Sequence, residues 1–102
     1  MTKADLVSEI REKIIREDLI EYNIENQEIA LIINTFFEII KEYTGKGESI
    51  ELRGFGTFKH KVRAEKIARN PRTNETVKMK KHAIPYFKPG SEFKEIMKNL
   101  KV

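Results

Sequence analysis

Cysteine is absent from this 102-residue chain, which excludes a disulfide framework and any thiolate metal site. Histidine is scarce as well. With only His60 and His82 and no third ligand cluster near either, a metal centre has too few donors. No apolar run is long enough to cross a bilayer: the richest stretch, Ile29 to Ile40, is broken by Asn34, Thr35 and Glu38. The opening residues lack a charged-then-apolar leader pattern, since acids stand at Asp5 and Glu9. A cytoplasmic setting without membrane contact is therefore expected. Internal repeats and low-complexity segments are missing too. Acids are rare in one region, residues 53–90, where Glu65 and Glu75 are the only two. They fall on the flanks of a ribbon rather than in a pocket, which suits a metal-dependent nuclease poorly, because its carboxylates must converge on the ions. Neither an enzyme nor a cofactor, metal or small-molecule substrate is expected.

What is present is charge, unevenly placed. Hydrophobic residues make up 39% and charged residues 35%, the balance of a globular chain. The net charge of +4 conceals a segregation. Residues 1–52 hold 6 Lys/Arg and 12 Asp/Glu, whereas residues 53–90 hold 11 Lys/Arg against those two acids. A solvated surface usually mixes signs, so a strongly cationic second half points to a polyanion. At this length one domain is expected over 1–102, with a core that is marginal without a partner.

The first half reads as helical. Thr2 can cap a helix, with Asp5 completing a short capping box, and Leu6, Ile10 and Ile14 recur on one face beside Val7. Residues 17–26 lose this periodicity, and a second helix starts near Asn23 or Asn26, either of which can cap it. In that helix Ile29, Ile32, Ile33, Phe36, Ile40 and Tyr43 form a stripe that Leu31, Phe37 and Ile39 widen beyond a single face. So apolar a helix must be covered on more than one side, and in a small chain the second cover is best supplied by another copy. Thr44-Gly45-Lys46-Gly47 then provides the stop.

The second half reads as strands around Lys66-Ile67-Ala68-Arg69-Asn70-Pro71-Arg72-Thr73-Asn74-Glu75. Asn-Pro is a turn dipeptide, and Asn74 tolerates the left-handed conformation that closes it. Before it, Phe58, His60, Val62 and Ala64 point one way, while Lys59, Lys61, Arg63 and Glu65 point the other. After it, Val77 and Met79 alternate with Lys78 and Lys80. Paired with each other, these runs make a long two-stranded ribbon with cations gathered on one face and a proline at its tip. His60 falls on the inner register, where a packed histidine is expected. Arg53-Gly54-Phe55-Gly56 supplies a reversal after the strand Ser49 to Leu52. Past Pro85, Tyr86 and Phe87 return to the core, Pro89-Gly90 turns the chain, and Ser91 caps a last helix bearing Phe93, Ile96, Met97 and Leu100.

In Gly54-Phe55-Gly56-Thr57-Phe58, Arg63-Ala64-Glu65-Lys66, Ala68-Arg69-Asn70-Pro71-Arg72-Thr73 and Ile84-Pro85-Tyr86-Phe87-Lys88-Pro89-Gly90, the chain resembles the HU and integration host factor family of bacterial DNA-bending proteins. The resemblance covers almost the whole sequence. It implies an α+β fold: an intertwined helical dimer body with antiparallel sheet, and one extended two-stranded β-ribbon arm per subunit that embraces duplex DNA. Residues 1–47 would be the helical dimerisation half, 48–90 the sheet and arm with its tip near 66–75, and 91–102 a C-terminal helix. Pro71 would insert between base pairs, with Arg63, Lys66, Arg69 and Asn70 lining the minor groove. Lys59 and Lys61 on the outgoing run, Arg72 and Thr73 at the tip, Lys78, Lys80 and Lys81 on the return run, and Lys3, Arg53 and Lys88 elsewhere would complete the DNA contacts. Ile29, Ile32, Ile33, Phe36, Phe37 and Ile40, joined by Phe55, Phe58 and Phe87, would form the dimer interface. The partner would be a second copy or a paralogue, and the setting the nucleoid.

The sequence departs from the family pattern in three places. Ala68 and Asn74 stand where the family commonly has glycine. The connection near Arg16 to Asn23 is about eight residues longer than in short members. Arg53 ahead of Gly-Phe-Gly, with Pro89-Gly90, looks more like integration host factor than HU. The function implied is architectural: cations displace counterions from phosphates, and a wedge kinks the duplex, as in minor-groove proteins that include HU and integration host factor. An RNA-binding or ribosome-associated module is the alternative. It is disfavoured because no aromatic residue lies between Lys59 and Lys81 to stack on bases.

Overall fold

The computed structural model describes residues 1–102. Its elements run α1 (Lys3–Arg16), α2 (Asn26–Gly45), β1 (Ile50–Leu52), β2 (Gly56–Arg63), β3 (Lys66–Arg69), β4 (Thr76–Met79), β5 (His82–Pro89) and α3 (Ser91–Met97). They fall into two compact units, Met1–Lys41 and Glu42–Val102, with the division inside α2. No helix is long and apolar enough to cross a membrane.

In the first unit the capping box forms as expected. The Thr2 hydroxyl accepts from the Asp5 N–H, and the Asp5 carboxylate accepts from the Thr2 N–H at 2.8 Å. The Thr2 backbone N–H, and after it the Thr2 hydroxyl, hold the Asp5 carboxyl below its ordinary range. A lowered pKa means that the stabilisation is complete above the ordinary value and fades as pH falls through the lowered one. Helix α1 ends in a Schellman motif. Asp18 adopts φ +50° and donates to the Ile15 carbonyl, while Leu19 donates to that of Ile14 at 3.1 Å. The connection that follows is tied back to α1 by Arg11, whose guanidinium donates to the Ile24 carbonyl at 2.9 Å and to Asn23 at 3.3 Å.

Neither expected asparagine caps α2. Asn26 is its first residue, and the preceding Glu25 receives the Ile29 N–H on its carbonyl while its own N–H donates to the Glu28 carboxylate at 3.0 Å. Asn23 is occupied by Arg11 and Glu25 instead. The C-terminus follows the expected stop: Gly47, at φ +89°, donates to Thr44, and Glu48 donates to Tyr43.

The core of the first unit is small. Val7, Ile24 and Ile29 are buried, with Ile10, Ile14, Ile20, Ala30 and Ile33 packed around them. Ile29, expected at the dimer interface, is at 3% exposure the most buried of these and packs with Val7 and Ile24. Ile33 leans on the same core. What α2 leaves open is the rest of its wide stripe, including Ile32 (62% exposed), Phe36 (42%) and Phe37 (43%).

In the second unit β1, β2 and β5 form an antiparallel sheet in the order β1-β2-β5, and β3 pairs with β4 in a separate ribbon. The register runs from Gly56 opposite Pro89 to Arg63 opposite His82. It corrects the sequence expectation, which paired the run from Phe58 with Val77 to Lys81; those return residues lie opposite β3 or between the ladders. One sheet face carries Phe58 and Phe87, whose ring centroids lie 4.8 Å apart, joined by Phe55 and by Phe93 of α3. Phe58 and Phe87 are half-buried in that cluster, and Phe55 is its exposed member. His60, expected to pack, is exposed across from Pro85. Ser91 is the first residue of α3 rather than its cap, a position taken by Gly90 without a side-chain bond. The helix stops at Met97, short of the expected 102, after which isolated turns follow.

Two outcomes are expected. A Cβ at Gly56 would lie 2.5 Å from the Phe87 ring and 2.6 Å from the Lys88 carbonyl, where backbone cannot yield. Gly56→Ala should destabilise the fold by about 1–3 kcal/mol, read as a lower urea midpoint at unchanged slope. Coupling of folding to association through the open α2 stripe is expected, so the unfolding midpoint should rise with protein concentration. Phe36→Glu should abolish the fold; a midpoint independent of concentration would refute the coupling.

Candidate nucleic-acid interface

Pairing of β2 with β5 decides where the cations go. Side chains alternate along each strand, and directly paired residues share a face. Thr57, Lys59, Lys61 and Arg63 therefore lie on one face with His82, Ile84, Tyr86 and Lys88. Glu51 of β1, opposite Thr57, is the one acid among the paired residues of that face. Of the expected DNA contacts, Lys59, Lys61, Arg63 and Lys88 come together here. Arg53 sits apart in the exposed β1–β2 turn, lining an open crevice with Glu51, Gly54 and Glu92. Lys3 belongs to the helical unit, where its ammonium donates to Asn34 at 2.8 Å.

Beyond Arg63 and His82 the ladder opens for two residues on each strand, Ala64-Glu65 and Lys80-Lys81. It resumes with Lys66 opposite Met79 and closes with Arg69 opposite Thr76. Neither strand gains a residue across the opening, so the register is continuous. Glu65 reaches Lys78 there, Oε1 to Nζ, at 2.8 Å. Lys66, Arg69, Lys78, Lys80 and Lys81 are all exposed, as the expected contacts require.

The tip is ordered by Asn70. Its N–H donates to the Glu75 carbonyl at 2.8 Å, and its carbonyl accepts from the Asn74 N–H at 2.8 Å. Its side-chain oxygen accepts from the Arg72 N–H at 2.9 Å, an Asx turn wrapped around Pro71. Asn74 adopts φ +61°, so it meets the left-handed requirement that glycine commonly fills. Pro71, Arg72 and Thr73 are thereby presented at the end of the ribbon, fully outside any core. The sequence reading assigned Asn70 to the groove alone and did not find this second task. Nor did it find Tyr86 beneath the lysines, since a tyrosine beside Phe87 reads as core from spacing.

The family model for bacterial DNA-binding proteins matches residues 1–98. The chain belongs to this family, that of HU and integration host factor. Integration host factor subunit beta of Colwellia psychrerythraea is 35% identical over 95 residues, covering 93% of this chain and 93% of that protein. The corresponding subunit of Pseudoalteromonas atlantica is 36% identical over 95 residues, covering 93% and 92%. Among solved structures, an Anabaena HU–DNA cocrystal matches with a TM-score of 0.83 and 27% identity, across 98% of this chain and 100% of that one. The α+β arrangement of helices and arm is that of the HU and integration host factor dimer. This chain is accordingly a non-enzymatic, architectural DNA-binding protein of that type.

The Glu65–Lys78 pair yields a test on this surface. Both side chains are at least half exposed, so the pair contributes at most about 1 kcal/mol, yet it competes with a phosphate for Lys78. Glu65→Gln should tighten DNA binding a few-fold in a filter or anisotropy titration at low salt, and the gain should vanish at high salt.

Proposed function

We propose that the chain acts as a dimer whose two arms enter the minor groove and kink the duplex at Pro71, compacting nucleoid DNA and shaping it for other transactions. The single observation that supports this most strongly is the tip: an exposed proline, braced by Asn70, at the end of a cationic ribbon with no core of its own. Arg63, Lys66, Arg69, Asn70, Arg72 and Thr73 line the groove. Lys59, Lys61 and Lys88 on the sheet face, with Lys78, Lys80 and Lys81 on the arm, neutralise phosphates; Arg53 and Lys3 add flanking charge. The open stripe of Ile32, Phe36, Phe37 and Ile40 receives the partner, with Ile33 at its edge. A second copy or a paralogue satisfies that surface, and similarity to a protein named as a subunit supports the paralogue.

Affinity and bending have separate physical sources in this scheme. Counterion release depends on the number of phosphates neutralised, and Pro71→Ala removes no cation. What the alanine loses is the rigid apolar ring that holds a base step unstacked, a deformation of roughly a few kcal/mol. Pro71→Ala should therefore bind straight duplex almost as well, with an unchanged salt slope, while bending it less; on nicked DNA the deficit should shrink. Arg69→Ala should bind more weakly throughout, with a slope shallower by about 0.9. Bend angle by energy transfer and affinity over a salt series measure both. A Pro71→Ala protein that bends straight DNA as sharply as its parent would exclude the wedge.

A further inference from the structure

Two ammonium groups lie over the ring of Tyr86. Lys61 Nζ is 3.8 Å from the ring centroid, and Lys59 Nζ is 5.9 Å away. The register explains the arrangement: Tyr86 stands directly opposite Lys59, and Lys61, opposite Ile84, is its diagonal neighbour on the same face. Tyr86 is half-buried, whereas the aromatic cluster of Phe55, Phe58, Phe87 and Phe93 occupies the other side of the sheet. The tyrosine ring is therefore not part of that packing. Its electron-rich surface attracts both cations and tempers the repulsion between two lysines that stand two residues apart on one strand.

Lysine is a flexible point charge that loses much rotamer freedom on meeting a phosphate. A cation already resting on a flat ring has lost part of that freedom before DNA arrives. We propose that Tyr86 is a positioning residue for DNA: its ring pre-sets Lys61, and less closely Lys59, as a phosphate clamp at the root of the arm. This rests on the reading of the sheet face as part of the DNA surface. It assigns to Tyr86 a role exerted through its neighbours, with no contact to DNA of its own.

A double-mutant cycle on DNA affinity tests the assignment. Tyr86→Leu keeps an apolar side chain without the ring and should weaken binding by about two- to fivefold, the size of an exposed cation–π contact. Tyr86→Phe keeps the ring and should bind like the parent. In a Lys61→Gln background, Tyr86→Leu should cost little more, because the cation it positions is gone. The inference is overturned if Tyr86→Leu costs as much in both backgrounds, if Tyr86→Phe loses as much as Tyr86→Leu, or if Tyr86→Leu costs nothing. A measurement on the unaltered protein guards against a fold defect in the variant. The Lys61 side-chain methylene protons should be shifted upfield by the ring in the free protein, and unshifted signals would refute the contact. Arg69→Ala separates the two levels of the argument. If it weakens binding while Lys61→Gln and Tyr86→Leu do not, the clamp falls and the arm reading stands. If Arg69→Ala also leaves binding intact, the DNA-binding surface itself is misplaced and both fall.

Discussion

The antiparallel pairing of β2 with β5 is the constraint on which the second unit depends. Because the side-chain period is two, this register sends Phe58 and Phe87 to one face and Lys59, Lys61, Tyr86 and Lys88 to the other. A slip of one residue would put lysines among the phenylalanines. The pairing is pinned at its closed end, where Gly56 lies so close to Phe87 that no other side chain fits. From there Phe93 of α3 and Phe55 of the turn complete the aromatic cluster. At its open end the same two strands leave the sheet and become the arm. One set of hydrogen bonds thus determines both what is buried and what is offered to a ligand.

The arm divides its labour between charge and shape. Its cations are spread along the strands, where counterion release depends on their number more than on their exact placement. The tip is the opposite case. The proposed wedge would work only if rigid, and the tip has two sources of rigidity: the ring of Pro71 and the bonds that Asn70 makes around it. Asn74 in place of glycine adds stiffness too, since its left-handed conformation is held without the extra freedom that glycine has in the unfolded chain. The helical unit shows a complementary economy: three buried residues form its core, and a wide apolar stripe is left uncovered.

Features governed by local rules were legible in the sequence. The Thr2–Asp5 box, the stop at Gly47, the left-handed Asn74 and the alternation from Phe58 to Arg63 all follow from residues a few positions apart. What failed depended on distant partners or on competition between nearby candidates. Asn23 is a better cap former than Glu25, but Arg11 engages it across twelve residues of chain, and Glu28 reaches back to serve Glu25 instead. Ile29 and Ile32 look equivalent on a helical stripe; only the placement of α1 makes one core and the other surface. The strand register could not be read from alternation, because shifting a partner by two residues preserves every face. Tyr86 and His60 were misjudged for the same reason: composition tells which residues suit a sheet, not which side has neighbours to cover them.

The interrupted ladder of the arm has an implication for how such arms can change length. Register is the same on both sides of the opening at Ala64-Glu65 and Lys80-Lys81, so inward and outward parity is conserved from the sheet to Asn70. An arm can then grow or shrink by matched pairs, two residues on each strand, and keep its cations on the same side. A change of one residue on each strand would invert everything beyond it, turning Arg69 to the side now held by Ala68. Unpaired positions are the cheapest place to make such a change, since no ladder bond is lost there. The reach of the arm is in this sense quantised, and the opening is where the steps can be taken.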